Sequence, residues 1–217
     1  PLMASNHYTY LSNVGVAVLA AGVLMWIPRP RLRTVFGIAT VLLFAAHALQ
    51  GFLTYHGLEA SNREIAKKVL EAAPEVREGE RDLYLVNLPF IAAHTGQRLR
   101  LLHGAKGLRT HLVTVSSEPF TPEAGAWAEA TKDGGLYLSL PAGWIDRQLI
   151  RMFLTMGTDI EVGRPYRCGS GTLVPGDGPA GALTTIAVDW PVGEQPVVVF
   201  LETDGDGGVT AQRVRVR

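Results

Sequence analysis

Val35–Tyr55, VFGIATVLLFAAHALQGFLTY, contains no Lys, Arg, Asp or Glu, and the fold turns on how it is read. As a helix rising 1.5 Å per residue it spans about 30 Å, the thickness of bilayer hydrocarbon. That medium penalises every charge and every unpaired backbone amide. The charge-free sequence extends on both sides, from Thr34 to Leu58. Beyond the connection Pro28-Arg-Pro-Arg-Leu-Arg33, a second charge-free run reaches from Ile27 back to the start of the chain. Its usable part, Tyr8–Ile27, carries Tyr8 and Tyr10 at one end and Trp26 at the other, where aromatic belts form. Gly15, Ala17, Ala20, Ala21 and Gly22 are small enough for close helix packing. Residues 1–57 therefore read as a transmembrane helical hairpin, with helices at about 8–27 and 35–55, and residues 58–217 as a soluble domain. Two adjacent helices that are apolar all round are rare in a soluble domain of this size.

His47 and Gln50 lie inside the second segment. Polar residues at membrane depth face a substrate path or bond across to a neighbouring helix, and both roles are open here. Arg29, Arg31 and Arg33 crowd the short connection, whereas Arg63, Lys67 and Lys68 follow the second segment. The positive-inside rule favours the denser loop as cytoplasmic, which puts the domain outside.

Charge is balanced, 20 basic against 20 acidic residues. This argues against a nucleic-acid binder and against a polybasic lipid-surface module. Cys168 is the single cysteine, which excludes a disulfide framework and a multi-cysteine zinc site. The chain begins with Pro1 rather than Met, so the expectation is a C-terminal piece of a polytopic protein with further helices upstream.

In the domain, residues 59–73 have helical periodicity: Ile65, Ala66, Val69, Leu70 and Ala73 share one face, and Pro74 ends the run. Asp82–Leu88 is short and apolar, as a buried strand is. Further strands are expected at Leu108–Ser116, Gly135–Leu140, Leu183–Trp190, Pro196–Glu202 and Val209–Val216. Gly- and Pro-rich turns such as Val174-Pro-Gly-Asp-Gly-Pro179 separate them. The predicted fold class is α+β: the helical hairpin, a membrane-proximal helix-strand unit, then a mainly antiparallel β domain.

His7-Tyr-Thr-Tyr-Leu-Ser-Asn-Val-Gly15 resembles the Arg-Tyr-x-Tyr-Leu-Pro-Ser-x-Gly pattern that opens a late, outward-facing transmembrane helix in GT-C glycosyltransferases of the protein O-mannosyltransferase type. Tyr8, Tyr10, Leu11 and Gly15 match; His7 replaces the usual Arg and Ser12 the usual Pro. The run Leu58-Glu-Ala-Ser-Asn-Arg-Glu-Ile, a helix, and Leu83-Tyr-Leu-Val-Asn-Leu-Pro89 is similar to the segment after the last helix of such proteins. The resemblance implies a lipid-linked sugar as donor, a bacterial inner-membrane location and substrate contacts at His7, Tyr8 and Tyr10; His47 joins them as a polar residue at membrane depth. It puts the catalytic acidic residue in a first outer loop that no residue here matches, so catalytic residues stay unassigned. The alternatives are a non-catalytic membrane-anchored binding or assembly module, and a small stand-alone membrane protein.

Other constellations have plainer readings. Thr203-Asp-Gly-Asp-Gly-Gly208 lacks the further oxygen ligands of a calcium loop and suits a hairpin turn. His94, His103 and His111 lack metal-ligand spacing. Cys168 has no nucleophile context, and Ser170 in Cys168-Gly-Ser-Gly171 is neither a nucleophile elbow nor part of a phosphate loop. Neither a metal nor a cofactor is expected. Trp127, Trp144 and Trp190 are candidates for stacking on sugar rings or for anchoring the core.

Overall fold

The computed structural model describes residues 15–78, 80–116, 120–141, 160–176 and 184–216. The chain divides into two compact units, Pro1–Gly57 and Leu58–Arg217. In the first, helix α1 is described over Gly15–Trp26. Arg33 donates from Nε and Nη2 to the Ile27 carbonyl (3.2 and 2.7 Å), supplying one of the partners that carbonyls near a helix C-terminus lack.

Helix α2, Pro30–Ala72, is 43 residues long. Pro30 opens it at a position where a missing amide costs nothing. The helix expected separately at 59–73 is instead the C-terminal part of α2. His56-Gly57-Leu58 contains neither a proline nor a capping side chain, and one glycine costs only about 1 kcal/mol without breaking the hydrogen-bond ladder. The helix stops where expected, before a 3-10 turn at Pro74–Arg77. Ion pairs one turn apart, Glu59–Arg63, Glu64–Lys68 and Lys67–Glu71, line its exposed side.

The second unit is α+β. Strands β1 (Arg81–Val86) and β2 (Leu88–Pro89) lead to helix α3 (Thr95–Leu102), then to β3 (Leu108–Leu112) and β4 (Val115–Ser116). There follow β5 (Trp127–Ala130), β6 (Leu136–Ser139), β7 (Tyr166–Cys168), β8 (Gly171–Gly176), β9 (Thr185–Asp189), β10 (Val197–Thr203) and β11 (Val209–Val214). The central sheet has the order β11-β10-β1-β3; β1 runs parallel to both β10 and β3, and β11 is antiparallel to β10. A short parallel pair, β2-β4, continues past β1 and β3. The outer sheet, β5-β6-β9-β8-β7, is wholly antiparallel.

Successive side chains of β1 and β10 point to opposite faces, and both faces are covered, so Leu83–Val86 and Val197–Leu201 are unbroken apolar runs. Leu83, Leu85, Val197, Val199 and Leu201 join Ile65, Ala66, Val69 and Leu70 of α2 and Leu99 of α3 in one core. Tyr84, Val86, Val198 and Phe200 point the other way and pack on Leu136, Leu138, Leu173, Ile186 and Val188 of the outer sheet. The inner strands β1 and β10 are therefore buried on both faces along most of their length, as inner strands of a parallel pair usually are. The outer sheet has one covered and one open face, and its strands alternate accordingly.

All six expected strands are found with shifted ends, the first two each divided, into β1 and β2 and into β3 and β4. The parallel pairing of β1, α3, and the strands β5, β7 and β8 were not anticipated. Val174-Pro-Gly176 lies in β8 rather than in a turn; Pro175 pairs with Ile186 of β9 beyond the end of β7, where its missing amide leaves no gap.

Candidate functional site

Among the described residues, a dense polar cluster grows from two register pairs between the parallel strands β1 and β3. Asp82 stands opposite Arg109 and Tyr84 opposite His111, so alternation puts all four side chains on one face of the central sheet. Arg109 makes a bidentate pair with Asp82, Nε to Oδ1 at 2.9 Å and Nη2 to Oδ2 at 2.7 Å. His111 Nε2 lies 2.7 Å from Asp82 Oδ1. Mainly through the Arg109 hydrogen bonds, and further through His111, the Asp82 carboxyl is held down at about 2, against a smaller opposing effect of burial. The His111 ring stacks on Tyr84 (centroids 4.9 Å apart), and Trp190 meets Tyr84 edge-on at 5.1 Å.

Tyr84 is fully buried and reaches the β7–β8 hairpin. Its hydroxyl lies 2.9 Å from Ser170 Oγ and accepts from the Ser170 amide at 3.2 Å. Ser170 Oγ also bonds to the Glu194 carboxylate. Gly169 and Ser170 form the two-residue loop between Cys168 and Gly171, with Gly169 at φ +64°, where glycine is unstrained. A Cβ on Gly169 would come within 2.7 Å of the Tyr84 hydroxyl and 2.9 Å of the His111 ring. A glycine here lets the hairpin sit against the sheet.

The chemistry of this cluster is that of a fastening. Ser170 has a carboxylate beside it, but the imidazole in the cluster is committed to Asp82. A Ser–His–Asp relay requires the histidine between serine and acid. Cys168 is pushed up to about 11 by burial, the opposite of an activated thiol. Among the described residues no group of three or more His, Cys, Asp or Glu side chains is arranged to hold a metal ion.

The residues singled out from the sequence are dispersed. His7, Tyr8, Tyr10 and Trp144 lie outside the described residues. His47 is on α2 and exposed, as is Gln50. His94 precedes α3 and His103 follows it, so neither accompanies His111. Trp190 packs on Tyr84, whereas Trp127 is 45% exposed and stands beside Tyr137, itself 38% exposed. Thr203–Gly208 is the β10–β11 hairpin turn: Asp204 Oδ1 accepts from the amides of Asp206 (3.2 Å) and Gly208 (2.7 Å). The Asp82–Arg109–His111–Tyr84 cluster was missed. Its signal, acid and aromatic two apart on one strand, base and imidazole two apart on another, becomes visible only once the two strands are taken as parallel and in register.

Among the described residues, α2 is the one helix long and apolar enough to cross a membrane; α1 is apolar and shorter. The apolar window of α2 is wholly unburied, with Val41, Leu42, Leu43 and Leu53 each more than 60% exposed. Comparison with known protein families, with curated proteins and with solved structures finds no match.

Proposed function

We propose that this chain is a membrane-anchored module whose soluble domain holds an acceptor or glycan for a GT-C-like glycosyltransferase of a bacterial inner membrane, on the extracytoplasmic side. The observation that carries the anchoring is the unburied apolar window of α2. Side chains such as Leu43 and Leu53 would each forfeit about 1.5–3 kcal/mol in water relative to burial, and hydrocarbon removes that loss. The glycosyltransferase setting is supported by the Tyr8, Tyr10, Leu11, Gly15 pattern and by the Asn87-Leu-Pro89 that follows β1. A holding role, with catalysis elsewhere, fits a domain whose main polar cluster is a closed fastening. His7, Tyr8, Tyr10 and His47 are assigned to substrate contact within this reading.

Two measurements test it. The expressed chain should stay with the membrane through alkaline carbonate extraction, and an alkaline phosphatase fusion after Arg217 should be active. Release by carbonate would overturn the anchor. An inactive but expressed fusion would put the domain in the cytoplasm, away from an extracytoplasmic acceptor.

A further inference from the structure

The open face of the outer sheet has a composition that the fold alone does not require. Register places Trp127, Ser139, Thr185 and Gly176 in one row across it, and Glu129, Tyr137, Ala187 and Val174 in the next. A third row runs from Asp189 through Thr172 to Arg167. Trp127 and Tyr137 are diagonal neighbours whose ring centroids lie 5.6 Å apart at 42°. They form an aromatic step at the β5–β6 side of the face, and the residues beyond are small. Gly176 keeps the floor low: a Cβ there would meet Thr185 Oγ1 at 2.1 Å. Glu129 and Asp189 are exposed on the strands either side of Tyr137, and Thr172 and Arg167 are exposed two and three strands from it along the same face.

We infer that this face is a glycan-binding platform, with Trp127 and Tyr137 as its stacking residues and a neutral oligosaccharide of hexopyranose units as its ligand. A pyranose presents a patch of C–H groups on its ring faces and hydroxyls around its rim. The negative faces of aromatic rings attract weakly positive C–H groups, and carboxylates, hydroxyls and a guanidinium supply acceptors and donors for the rim. Charge selects against the other occupants. Glu129 and Asp189 oppose a phosphate backbone or an anionic lipid surface, and a protein interface core is depleted of the charges found here. Leaving two large aromatic side chains this exposed forgoes burial energy, and exposed aromatic surface rimmed by polar groups is how binding surfaces are built. The inference deepens the proposed holding role, on which it rests for its biological setting, and supplies that role with residues.

The full chain in detergent micelles is titrated with maltotetraose, cellotetraose, mannotetraose and chitotetraose, followed by calorimetry and tryptophan fluorescence. The expected result is saturable binding of at least one of them. Affinity should fall at least tenfold in Trp127→Ala and in Tyr137→Ala, and stay within about threefold in Trp127→Phe, which keeps an aromatic face. The melting temperature of each variant, measured alongside, must match that of the parent, because both side chains are exposed. No binding of any of the four sugars, or binding that survives Trp127→Ala and Tyr137→Ala unchanged, overturns the platform. Failure here is separable from failure of the anchor: a chain that resists carbonate extraction but binds no sugar loses the platform alone. One that binds sugar but is released by carbonate loses the anchor alone.

Discussion

Asn87 ties three segments of the domain together. It is 1% exposed and the only described non-glycine with positive φ, at 57°. Asparagine tolerates that region better than most side chains. Its amide Nδ2 donates to the carbonyls of Leu201 (2.9 Å) and Glu123 (3.2 Å), its Oδ1 accepts from the Glu123 amide (3.0 Å), and its own amide donates to Thr114 Oγ1 (2.7 Å). The side chain thus ties the end of β1 to β10 and to the loop before β5. Asn87→Ala would strand these buried backbone groups and strain the backbone, a loss of about 2–4 kcal/mol. Asn87→Gly, unstrained at this φ, should cost about 1 kcal/mol less than the alanine variant. Urea unfolding of the full chain in micelles measures both; equal losses would show that the backbone conformation contributes nothing. A second residue-scale prediction concerns acid. Asp82 is held down at about 2 by Arg109 and His111, and Glu59 at about 2 by Arg98 and, more weakly, Arg63. A carboxyl depressed in the folded state stabilises at pH above its ordinary value, and the gain is lost as pH falls toward the folded one. Stability should therefore be level from pH 7 to about 5 and decline between about 4 and 2. Asp82→Asn should flatten part of that decline, and an unchanged slope would exclude Asp82 as a source.

The β7–β8 hairpin shows how one element is held by another. Gly169→Ala combines positive φ with a Cβ pushed against Tyr84 Oη and His111, and should cost roughly 2–3 kcal/mol. Tyr84→Phe removes the atom in closest conflict, so the alanine should cost less in that background. Thermal melts of the four proteins in this double-mutant cycle give the coupling, and a coupling near zero would place the strain elsewhere. The same hairpin marks where sequence reading fails. Strands such as Val197–Thr203 were legible because burial on both faces leaves an unbroken run of Val, Phe and Leu. Tyr-Arg-Cys and Gly-Thr-Leu-Val-Pro-Gly lack such a run, since β7 is an edge strand and β8 contains two glycines and a proline. Helix α3 is only eight residues, and Gly96 near its start disguises it; the glycine is there because Thr110 Oγ1 would lie 2.2 Å from a Cβ. The join of the apolar and amphipathic parts of α2 is hidden for the opposite reason: composition changes there while the helix backbone continues. Trp127 and Tyr137 were visible as residue types, but their pairing depends on the β5–β6 register, which no local pattern encodes.

At the scale of the molecule, the charge pattern bears on orientation. Residues 34–58 are free of Lys, Arg, Asp and Glu, and basic residues flank them on both sides. Arg29, Arg31 and Arg33 precede the stretch; Arg63, Lys67 and Lys68 follow it. If the proposed span inserts, these two groups compete for the cytoplasmic side, and the count within a short distance of the span decides. Their other duties differ. Arg33 bonds through its side chain to the Ile27 carbonyl, whereas the side chains of Arg29 and Arg31 are exposed and make no hydrogen bond or ion pair among the described residues. Replacing Arg29 and Arg31 with Gln should therefore leave the helices intact and weaken only the topological signal. The alkaline phosphatase fusion after Arg217 should then lose a substantial fraction of its activity as part of the population inverts. Replacing Lys67 and Lys68 with Gln, which breaks one-turn ion pairs worth about 0.3–0.5 kcal/mol each, should raise it or leave it at its ceiling. Opposite responses of the two variants would establish that loop charge sets the orientation. Equal activity in both, at equal expression, would mean that something other than these charges fixes which side of the membrane the domain occupies.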